Sequence, residues 1–169
     1  MASNLPSLAI DNLQTDSAAM KNLEIRPALV NEAAILEALQ WRASLENDGD
    51  LESLLAHPDA IVLPIEQIEL GQVFVAEQNG SIAGFAVAIP RADGQFELDG
   101  LFVEPSIWKS GVGRALVKRC ADYALNQGAT ALHVVGNPHA KGFYVACDFE
   151  PIGFEKTQFG KGILMRKSL

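Results

Sequence analysis

A chain of 169 residues with 49% hydrophobic and 20% charged residues has the composition of one globular domain and not of a disordered protein. The formal net charge of −8 argues against a surface that coats nucleic acid and favours cationic small molecules, basic peptides or simply solubility. Since the longest apolar run is too short for a membrane span and the N-terminus lacks the order of a secretory signal, we expect a cytoplasmic protein without a membrane partner.

The chain divides into a short leading segment and one domain. Residues 1–21 are rich in Ser, Ala, Asn and Asp, and we expect them to form a flexible N-terminal extension to a domain over residues 22–169. Cys120 and Cys147 fall among apolar neighbours and lack the spacing of metal ligands. Buried free thiols are therefore expected, with a disulfide as the alternative, and no metal site is expected.

The next segments predict a strand followed by two helices. Residues 23–29 alternate in polarity and contain Pro27, which is typical of a short strand that ends in a turn. Helical spacing begins at Asn31, the expected N-cap, and a shorter helix over residues 51–57 stops before a proline. The apolar side of the first helix is expected to comprise Ile35, Leu36 and Leu39.

Three strands joined by tight turns form the clearest local pattern. The β-rich runs QVFVAEQ and SIAGFAVAIP are separated by Asn79-Gly80, a pair that favours the positive φ angles of a type I′ hairpin turn. Asp93-Gly94 then leads into a third strand over residues 95–105. Gly100, in the middle of that strand, predicts a bulge or the close approach of another group.

A longer helix and a short strand follow. Residues 111–127 predict a helix that Gly128 terminates, and residues 131–137 predict a strand parallel to the one before that helix. The apolar positions that recur at helical spacing are Val112, Leu116, Cys120 and Tyr123.

The chain closes with a short helix and a hairpin. Asn137 and Pro138 suit the N-cap and the first position of that helix. Residues 149–168 predict a strand, a turn and a strand. The order of elements is thus β-α-α-β-β-β-α-β-α-β-β. The apolar side of the short helix is expected to comprise Ala140, Phe143, Tyr144 and Cys147.

The stretch WKSGVGRAL, residues 108–116, brings two glycines to the start of the longer helix. A helix N-terminus binds anions through unpaired N–H groups and partial positive charge, but a softened helix start with nothing bound fits two glycines equally well. A dinucleotide fingerprint needs a third glycine where Leu116 stands, and a Walker loop needs a spacing that this sequence lacks. These two nucleotide cradles, and with them a nicotinamide-dependent enzyme, are excluded.

Two longer motifs at the right separation resemble those of the GCN5-related N-acetyltransferase family. LFVEPSIWKSGVGRALV is similar to the family's strand followed by Gln or Arg, two residues, Gly, one residue and Gly or Ala. Some twenty residues later, VVGNPHAKGFYVACDFEPIGF is similar to its second signature, an Asn that opens a helix carrying Ala and then Phe-Tyr. The order of elements also matches, over about residues 23–167.

The resemblance implies an α/β fold with a mixed, mostly antiparallel sheet of six to seven strands, flanked by about four helices and splayed between the fourth and fifth strands. It implies acetyl-CoA as the donor, with its pyrophosphate on the N–H groups of residues 111–115 and its pantetheine arm on the backbone of residues 101–103. The coenzyme-binding residues that it implies are Leu101, Phe102, Val103, Trp108, Lys109, Ser110, Gly111, Val112, Gly113, Arg114, Ala115, Asn137, Ala140, Phe143 and Tyr144.

One position departs from the family pattern. Trp108 stands where the family has Gln or Arg, and an indole is not expected to donate the same hydrogen bonds that brace the backbone. Lys109 and Arg114 are then expected to add positive charge near the phosphates.

The resemblance also implies the catalytic groups. Tyr144 matches the family's general acid, with aromatic packing beside Phe143 as its alternative role. Histone-type members carry a catalytic glutamate that corresponds to Glu97, and Asp99 shares a face with Glu97 on an ideal strand; either residue is otherwise a solvated edge charge. Other members of the family use different positions or a water-relayed base. The N–H group of Val103 is the expected donor to the oxyanion.

The acceptor is expected to contact the segment over residues 41–65, which usually walls the acceptor pocket in this family. The expected contacts are Trp41, Arg42, Glu46 and Asp48. The acceptor would be a small-molecule or peptide amine, which the sequence does not identify. The resulting hypothesis is an acetyl-CoA-dependent N-acetyltransferase, with a non-catalytic acyl-CoA-binding regulatory module as the alternative; a homodimer is also left open.

Overall fold

Seven strands form one mixed sheet in the computed structural model, which describes residues 22–47 and 51–169. The strands are β1 (Leu23–Pro27), β2 (Val73–Gln78), β3 (Ser81–Pro90), β4 (Phe96–Val103), β5 (Ala131–Gly136), β6 (Glu150–Thr157) and β7 (Gly160–Ser168). Their spatial order is β1-β2-β3-β4-β5-β7-β6, with β4 and β5 parallel and the other neighbours antiparallel. The expected extension over residues 1–21 and the expected acceptor contact Asp48 lie outside the described residues.

Five α-helices flank the sheet in the described part of the chain, one more than expected. They are α1 (Ala33–Leu45), α2 (Leu51–Ala56), α3 (Ile65–Glu69), α4 (Val112–Asn126) and α5 (Lys141–Ala146). The predicted α/β class is confirmed, as are the parallel pair β4–β5 and the closing hairpin β6–β7. The predicted turn at Asn79-Gly80 is confirmed as well, since its two φ angles are 52° and 78°.

Each face of the sheet carries its own hydrophobic cluster, because alternate residues of β2 and β3 belong to different clusters. On the first face, α4 packs Val112 and Leu116 against the strands, and Tyr144 of α5 joins them. On the second face, α1 covers β2 to β4 with Leu36 and Leu39. We call these the α4 face and the α1 face.

The two cysteines lie in the cluster of the α4 face. Cys120 and Cys147 are both buried and free, so the expected thiols are confirmed and the alternative disulfide is absent. Burial raises the pKa of the Cys120 thiol to about 12, which leaves it protonated and unreactive at neutral pH.

Two details of α1 differ from the sequence prediction. Asn31 is not the N-cap, because a 3₁₀ turn over Val30–Glu32 precedes the helix and the Glu32 carboxylate accepts a hydrogen bond from the Leu29 N–H group at 2.8 Å. Ile35 is 55% exposed, since Leu36 and Leu39 turn to the sheet and the position before Leu36 falls at the edge of that stripe.

The predicted bulge lies in β4 beside Gly100. Val87 of β3 is opposite Gly100 and Ala88 is opposite Leu98, so Asp99 has no partner on β3. One inserted residue reverses the alternation of side chains beyond it. The bulge therefore decides which face each later side chain of β4 occupies.

The consequence is visible in the residues on either side of the bulge. Leu98 belongs to the cluster of the α4 face, and Glu97 beside it points to the α1 face. Beyond the bulge, Leu101 and Val103 pack on the α4 face and Phe102 packs on the α1 face. On a regular strand Leu101 and Val103 would share the face of Glu97.

The predicted opening between the fourth and fifth strands is confirmed. The strands β4 and β5 pair at three positions, which are Phe96 with Leu132, Glu97 with His133 and Leu98 with Val134. Beyond these positions β4 continues to Val103 and β5 continues to Gly136 without pairing. The unpaired ends bound a gap that runs through the sheet from one face to the other.

Candidate active site

The backbone of β4 directs polar groups into this gap. The Glu104 N–H group donates to the Ala83 carbonyl oxygen at 2.9 Å, which fixes the hydrogen-bonding phase of the β3–β4 ladder. Because residues of an antiparallel strand point alternately toward and away from their neighbour, the N–H and C=O groups of Leu101 and Val103 face the gap. Phe102 bonds toward β3, so its backbone does not serve the gap.

The glycine loop follows β4 and opens α4. Gly111 is the N-cap of α4 with a φ of 92°, a left-handed conformation that favours glycine. The Ala115 N–H group donates to the Gly111 carbonyl oxygen at 3.1 Å, so it is already satisfied inside the helix. The N–H groups without an intrahelical partner are those of residues 111–114, and the expected role of Ala115 in the cradle stays a prediction.

Several side chains around the glycine loop are packed against other residues. Val112 is buried in the core, so it can offer the site only its N–H group. The Phe143 ring lies against the start of α4, where a Cβ atom at Gly113 would be 3.2 Å from two of its carbons. Ala140 packs on the cluster of the α4 face, and Asn137 is confirmed as an N-cap because its side chain accepts from the His139 N–H group at 2.9 Å.

The departure at Trp108 is resolved differently from the prediction. The Trp108 Nε1–H group donates to the Val103 carbonyl oxygen at 2.8 Å, so the indole does brace the backbone. The next residue, Lys109, has a φ of 65°, a conformation that an L-residue with a long side chain rarely adopts. Between Val103 and Gly111 the loop is thus tightly bent, and the Trp108 side-chain hydrogen bond joins it to the end of β4.

The polar side chains of the loop differ in whether they are available to bind an anion. Arg114 donates from Nη2 to the Ala146 carbonyl oxygen at 3.0 Å, so its guanidinium is engaged at the end of α5. The Ser110 hydroxyl is buried and has no hydrogen-bond partner among the described residues. A buried hydroxyl without a partner costs free energy, and a phosphate oxygen beside the helix N-terminus would satisfy it. The residues present therefore fit a phosphate group.

On the α1 face, the gap opens into a cleft of about 460 Å³. Its floor contains Glu97 and Asp99 of β4, which the sequence selected as candidate bases. The polar side chains on its walls come from α1, from the residue after β5 and from the β6–β7 hairpin: Gln40, Ser44, Asn47, Asn137, Thr157, Gln158 and Lys161.

The two floor carboxylates have different surroundings. Burial raises the pKa of Glu97, and the nearby charges of Asp99 and Glu155 raise it further while Arg91 opposes them. The Arg91 Nη1 atom lies 3.8 Å from the Glu97 Oε2 atom, too far for a strong pair. Asp99 is exposed on the bulge. Of the two, Glu97 therefore retains a proton more readily than an ordinary glutamate.

Tyr144 lies on α5 at the other side of the gap. Its ring packs against the end of β5, where a Cβ atom at Gly136 would be 3.0 Å from Cε2 and 3.2 Å from Cδ2. Phe143 and Phe149 contact the same ring edge to face, with centroid distances of 5.2 Å and 5.5 Å. Burial raises the pKa of the Tyr144 hydroxyl to about 12, so the hydroxyl is protonated at neutral pH.

The residues of α1, and of the turn after it, that line the cleft differ from the expected acceptor contacts. Trp41, Arg42 and Glu46 do not line the cleft, whereas Gln40, Ser44 and Asn47 do. Arg42 instead forms an ion pair with Glu104 at the end of β4. Helical spacing explains which residues line the cleft, because positions 40, 44 and 47 share one stripe beside the buried residues of α1. The contribution of the β6–β7 hairpin to the cleft has no comparable signal in the sequence.

Two further observations concern the described residues. Over residues 22–47 and 51–169, we find no group of three or more His, Cys, Asp and Glu side chains arranged to hold a metal ion. In the same ranges no helix has both the length and the apolar character that a membrane span requires.

Comparison with solved structures finds the same fold in many acetyltransferases. A GCN5-related N-acetyltransferase from Rhodopseudomonas palustris superposes with a TM-score of 0.70 at 22% identity, covering 88% of this chain and 97% of that one. The PaiA N-acetyltransferase from Thermoplasma acidophilum, in complex with coenzyme A, gives 0.69 at 18%, covering 87% and 99%. The ribosomal-protein-S18-alanine N-acetyltransferase from Escherichia coli gives 0.63 at 20%, covering 86% and 93%. These identities show a shared fold.

The family is identified by comparing the sequence with models of protein families. A search of curated proteins finds no match. The model of the acetyltransferase (GNAT) family matches residues 35–149, which include α1, the gap, the glycine loop and α5. Its match spans more than half of the chain and contains the glycine motif and the Asn137, Ala140 and Phe143-Tyr144 signature on which the resemblance rests. The chain belongs to the acetyltransferase (GNAT) family.

Proposed function

We propose that the protein is an acetyl-CoA-dependent N-acetyltransferase that acetylates a primary amine by direct attack. The observation that carries this proposal is the position of two proton-handling groups on opposite faces of the gap between β4 and β5. Glu97 borders the cleft on the α1 face, and Tyr144 lies in the cluster of the α4 face. An amine in the cleft and a thioester on the α4 face would meet in the gap, with a base on one side and a proton donor on the other.

The coenzyme side of the gap supplies hydrogen-bond donors. Acetyl-CoA, when bound, supplies the thioester carbonyl that an amine attacks. The N–H groups of residues 111–114 and the Ser110 hydroxyl would hold its pyrophosphate at the N-terminus of α4, where the helix dipole favours an anion. The Leu101 backbone would pair with the amide-bearing arm as a sheet edge pairs with an added strand. The Val103 N–H group would donate to the carbonyl oxygen as negative charge develops there.

Glu97 is the base in this proposal. The amine attacks through its lone pair, so one proton must leave the nitrogen as the C–N bond forms. The raised pKa of Glu97 makes its carboxylate a better proton acceptor than an ordinary glutamate. Asp99 is the competing candidate, because it lines the same floor.

Tyr144 is the proton donor to the leaving sulfur. As the C–S bond breaks, the sulfur acquires negative charge that a hydroxyl within hydrogen-bond reach stabilises. One proton passes from nitrogen to Glu97 and on to water, while the sulfur leaves as a thiolate that accepts a hydrogen bond from Tyr144 and takes its proton from water. The burial that keeps Tyr144 protonated ensures that the donor form is present across the neutral pH range.

The acceptor is a primary amine that carries further hydrogen-bonding groups. The cleft walls contain the amide side chains of Gln40, Asn47, Asn137 and Gln158, which recognise hydroxyl, amide or peptide groups. Both a small polar amine and the N-terminus or a lysine of a peptide have this chemistry. The Escherichia coli neighbour is, by its name, an alanine N-acetyltransferase of a ribosomal protein.

Thiol release from acetyl-CoA in the presence of a panel of primary amines tests the proposal. The panel should contain polyamines, amino sugars, amino acids and short peptides. Amine-dependent release of one thiol per acetylated product supports an enzyme. Tight binding of coenzyme A in a calorimeter, without thiol release for any amine, would instead identify a non-catalytic acyl-CoA-binding module.

One single variant and one matched pair of variants test the roles within the site. Gly111→Asp introduces a carboxylate at the cradle in a strained conformation and should abolish coenzyme binding in a protein that remains folded by circular dichroism. Glu97→Gln should lower kcat/KM by about 10²- to 10⁴-fold, whereas Asp99→Asn should lower it by less than about tenfold. The reverse order of these two effects would assign the base to Asp99.

A further inference from the structure

The two parts of the coenzyme site lie on different elements. The gap-facing backbone of Leu101 and Val103 belongs to β4, and the free N–H groups of residues 111–114 belong to the start of α4. One ligand can bind both parts tightly only if their separation is fixed beforehand. The segment that sets this separation is the loop over residues 104–111.

This loop contains two bends with unusual backbone conformations. Lys109 and Gly111 both have left-handed φ angles, and the left-handed conformation is unfavourable for a lysine. Backbone in such conformations persists where surrounding contacts hold it. The side-chain hydrogen bond from Trp108 Nε1 to the Val103 carbonyl oxygen, at 2.8 Å, joins the middle of the loop to the last residue of β4.

The same bond changes the polarity of the gap. Val103 directs both its N–H and its C=O group toward the gap, and the indole takes the C=O group. The strand edge then offers a donor and an acceptor at Leu101 but only a donor at Val103. The Val103 donor is the group proposed above for the developing oxyanion, and the indole holds the peptide unit that follows it.

We propose that Trp108 is a positioning residue that fixes the glycine loop against the end of β4 and so preorganises both parts of the coenzyme site. This inference rests on the proposed function, because it assumes that one acyl-coenzyme A spans the strand edge and the helix start. Trp108 stands where the family motif has Gln or Arg, and it braces the backbone through a different hydrogen bond. Its 43% exposure does not argue against this role, since only the Nε1–H edge of the ring is engaged.

Three variants test the inference. Trp108→Phe keeps an aromatic ring and removes the donor; Trp108→Gln removes the ring and restores an N–H donor. Gln95→Leu is the matched control, because the Gln95 Oε1 atom accepts from the Thr130 and Ala131 N–H groups at 2.9 Å and thus makes a side-chain tie at the opposite end of β4. The measurements are the Kd of coenzyme A by calorimetry, the KM for acetyl-CoA, kcat and the melting temperature without ligand.

Trp108→Phe should raise both the Kd of coenzyme A and the KM for acetyl-CoA by about two- to tenfold, the range expected for one lost hydrogen bond. The kcat at saturating acetyl-CoA and the KM for the amine should stay within about twofold. Trp108→Gln should return the Kd to within about twofold of the original protein. Gln95→Leu should lower the melting temperature and leave the Kd unchanged.

A merely structural Trp108 gives a different pattern. Trp108→Phe would then lower the melting temperature as Gln95→Leu does, with an unchanged Kd, and this result would overturn the inference. Failure of Trp108→Gln to recover affinity would also overturn it, because the donor would not be the property that matters. If no amine supports thiol release, the proposed reaction fails, but the Kd of coenzyme A alone still decides the role of Trp108. An original protein that does not bind coenzyme A would overturn both.

Discussion

Replacing Tyr144 by phenylalanine isolates the hydroxyl from the ring that carries it. The ring packs against Gly136, Phe143 and Phe149, and phenylalanine preserves these contacts. The change therefore removes the proposed proton donor while the end of β5 and helix α5 keep their packing. Any loss of turnover then reports on the hydroxyl itself.

The size of the loss follows from the pKa of this hydroxyl. Its value of about 12 lies roughly 3.5 pH units above that of an ordinary thiol, near 8.5. At 1.36 kcal/mol for each pH unit, complete proton transfer to a free thiolate would cost roughly 5 kcal/mol. Donation of a hydrogen bond to the developing negative charge carries no such cost and contributes about 1.5–3 kcal/mol. We therefore expect Tyr144→Phe to lower kcat by about 10- to 150-fold, near the lower end of the general-acid range.

Thiol release at saturating acetyl-CoA and amine measures this effect, and calorimetry with coenzyme A measures affinity separately. The Kd should change by less than about twofold, because the hydroxyl acts on the sulfur only as the C–S bond breaks. Since the hydroxyl stays protonated, kcat should show no decline between pH 7 and about pH 10 that depends on Tyr144. An unchanged kcat would leave Tyr144 as a packing residue. A loss above about 10⁴-fold would mean that a full proton transfer occurs and that the reasoning from the pKa is wrong.

Three further substitutions have outcomes that the structure fixes in sign. Burial raises the pKa of Glu97, so the ionised form of this side chain opposes folding. Glu97→Gln should therefore raise the melting temperature at pH 7 by up to about 4 °C. The difference in melting temperature between the variant and the original protein should vanish below about pH 4.5. Arg26 lowers the pKa of Glu32, so that pair stabilises the fold above the ordinary pKa of a glutamate; Glu32→Gln should cost about 1.5–3 kcal/mol in urea unfolding at pH 7, and less as the pH falls through the lowered pKa. Gly136→Ala should displace the Tyr144 ring, cost about 1–3 kcal/mol and lower kcat in a protein that keeps its hydroxyl, as thermal unfolding and thiol release would show.

The parts of the fold that the sequence predicted correctly are those that local chemistry decides. The Asn79-Gly80 turn and the cap at Asn137, which in the structure caps the 3₁₀ turn over Pro138–Ala140 before α5, depend on residues within a few positions of each other. The apolar stripe of α4 was also predicted from local helical spacing, and three of its four positions are fully buried. The start of α1 was misjudged because Asn31 lies inside the 3₁₀ turn over Val30–Glu32 that precedes the helix.

The cleft on the α1 face depends on long-range packing, and for that reason the sequence predicted its lining residues less well. The rotation of α1 about its own axis is set by Leu36 and Leu39 against the sheet, and this rotation turns Gln40 to the cleft and Trp41 away from it. The opposite wall comes from the β6–β7 hairpin, which follows α1 by more than a hundred residues. No pattern within α1 identifies that partner, since the contact arises only when β7 inserts between β5 and β6.

The bulge in β4 connects the local and the long-range parts of the site. Gly100 signalled it in the sequence, but its effect appears only when both faces of the sheet are considered. Without the unpaired Asp99, Leu101 and Val103 would turn their side chains to the face of Glu97 and fill the cleft, and the strand edge would shift by one residue against the gap. With it, Glu97 keeps a polar cleft while the same strand packs against α4. One inserted residue thus allows a single strand to support the proposed base on one face and packing against α4 on the other.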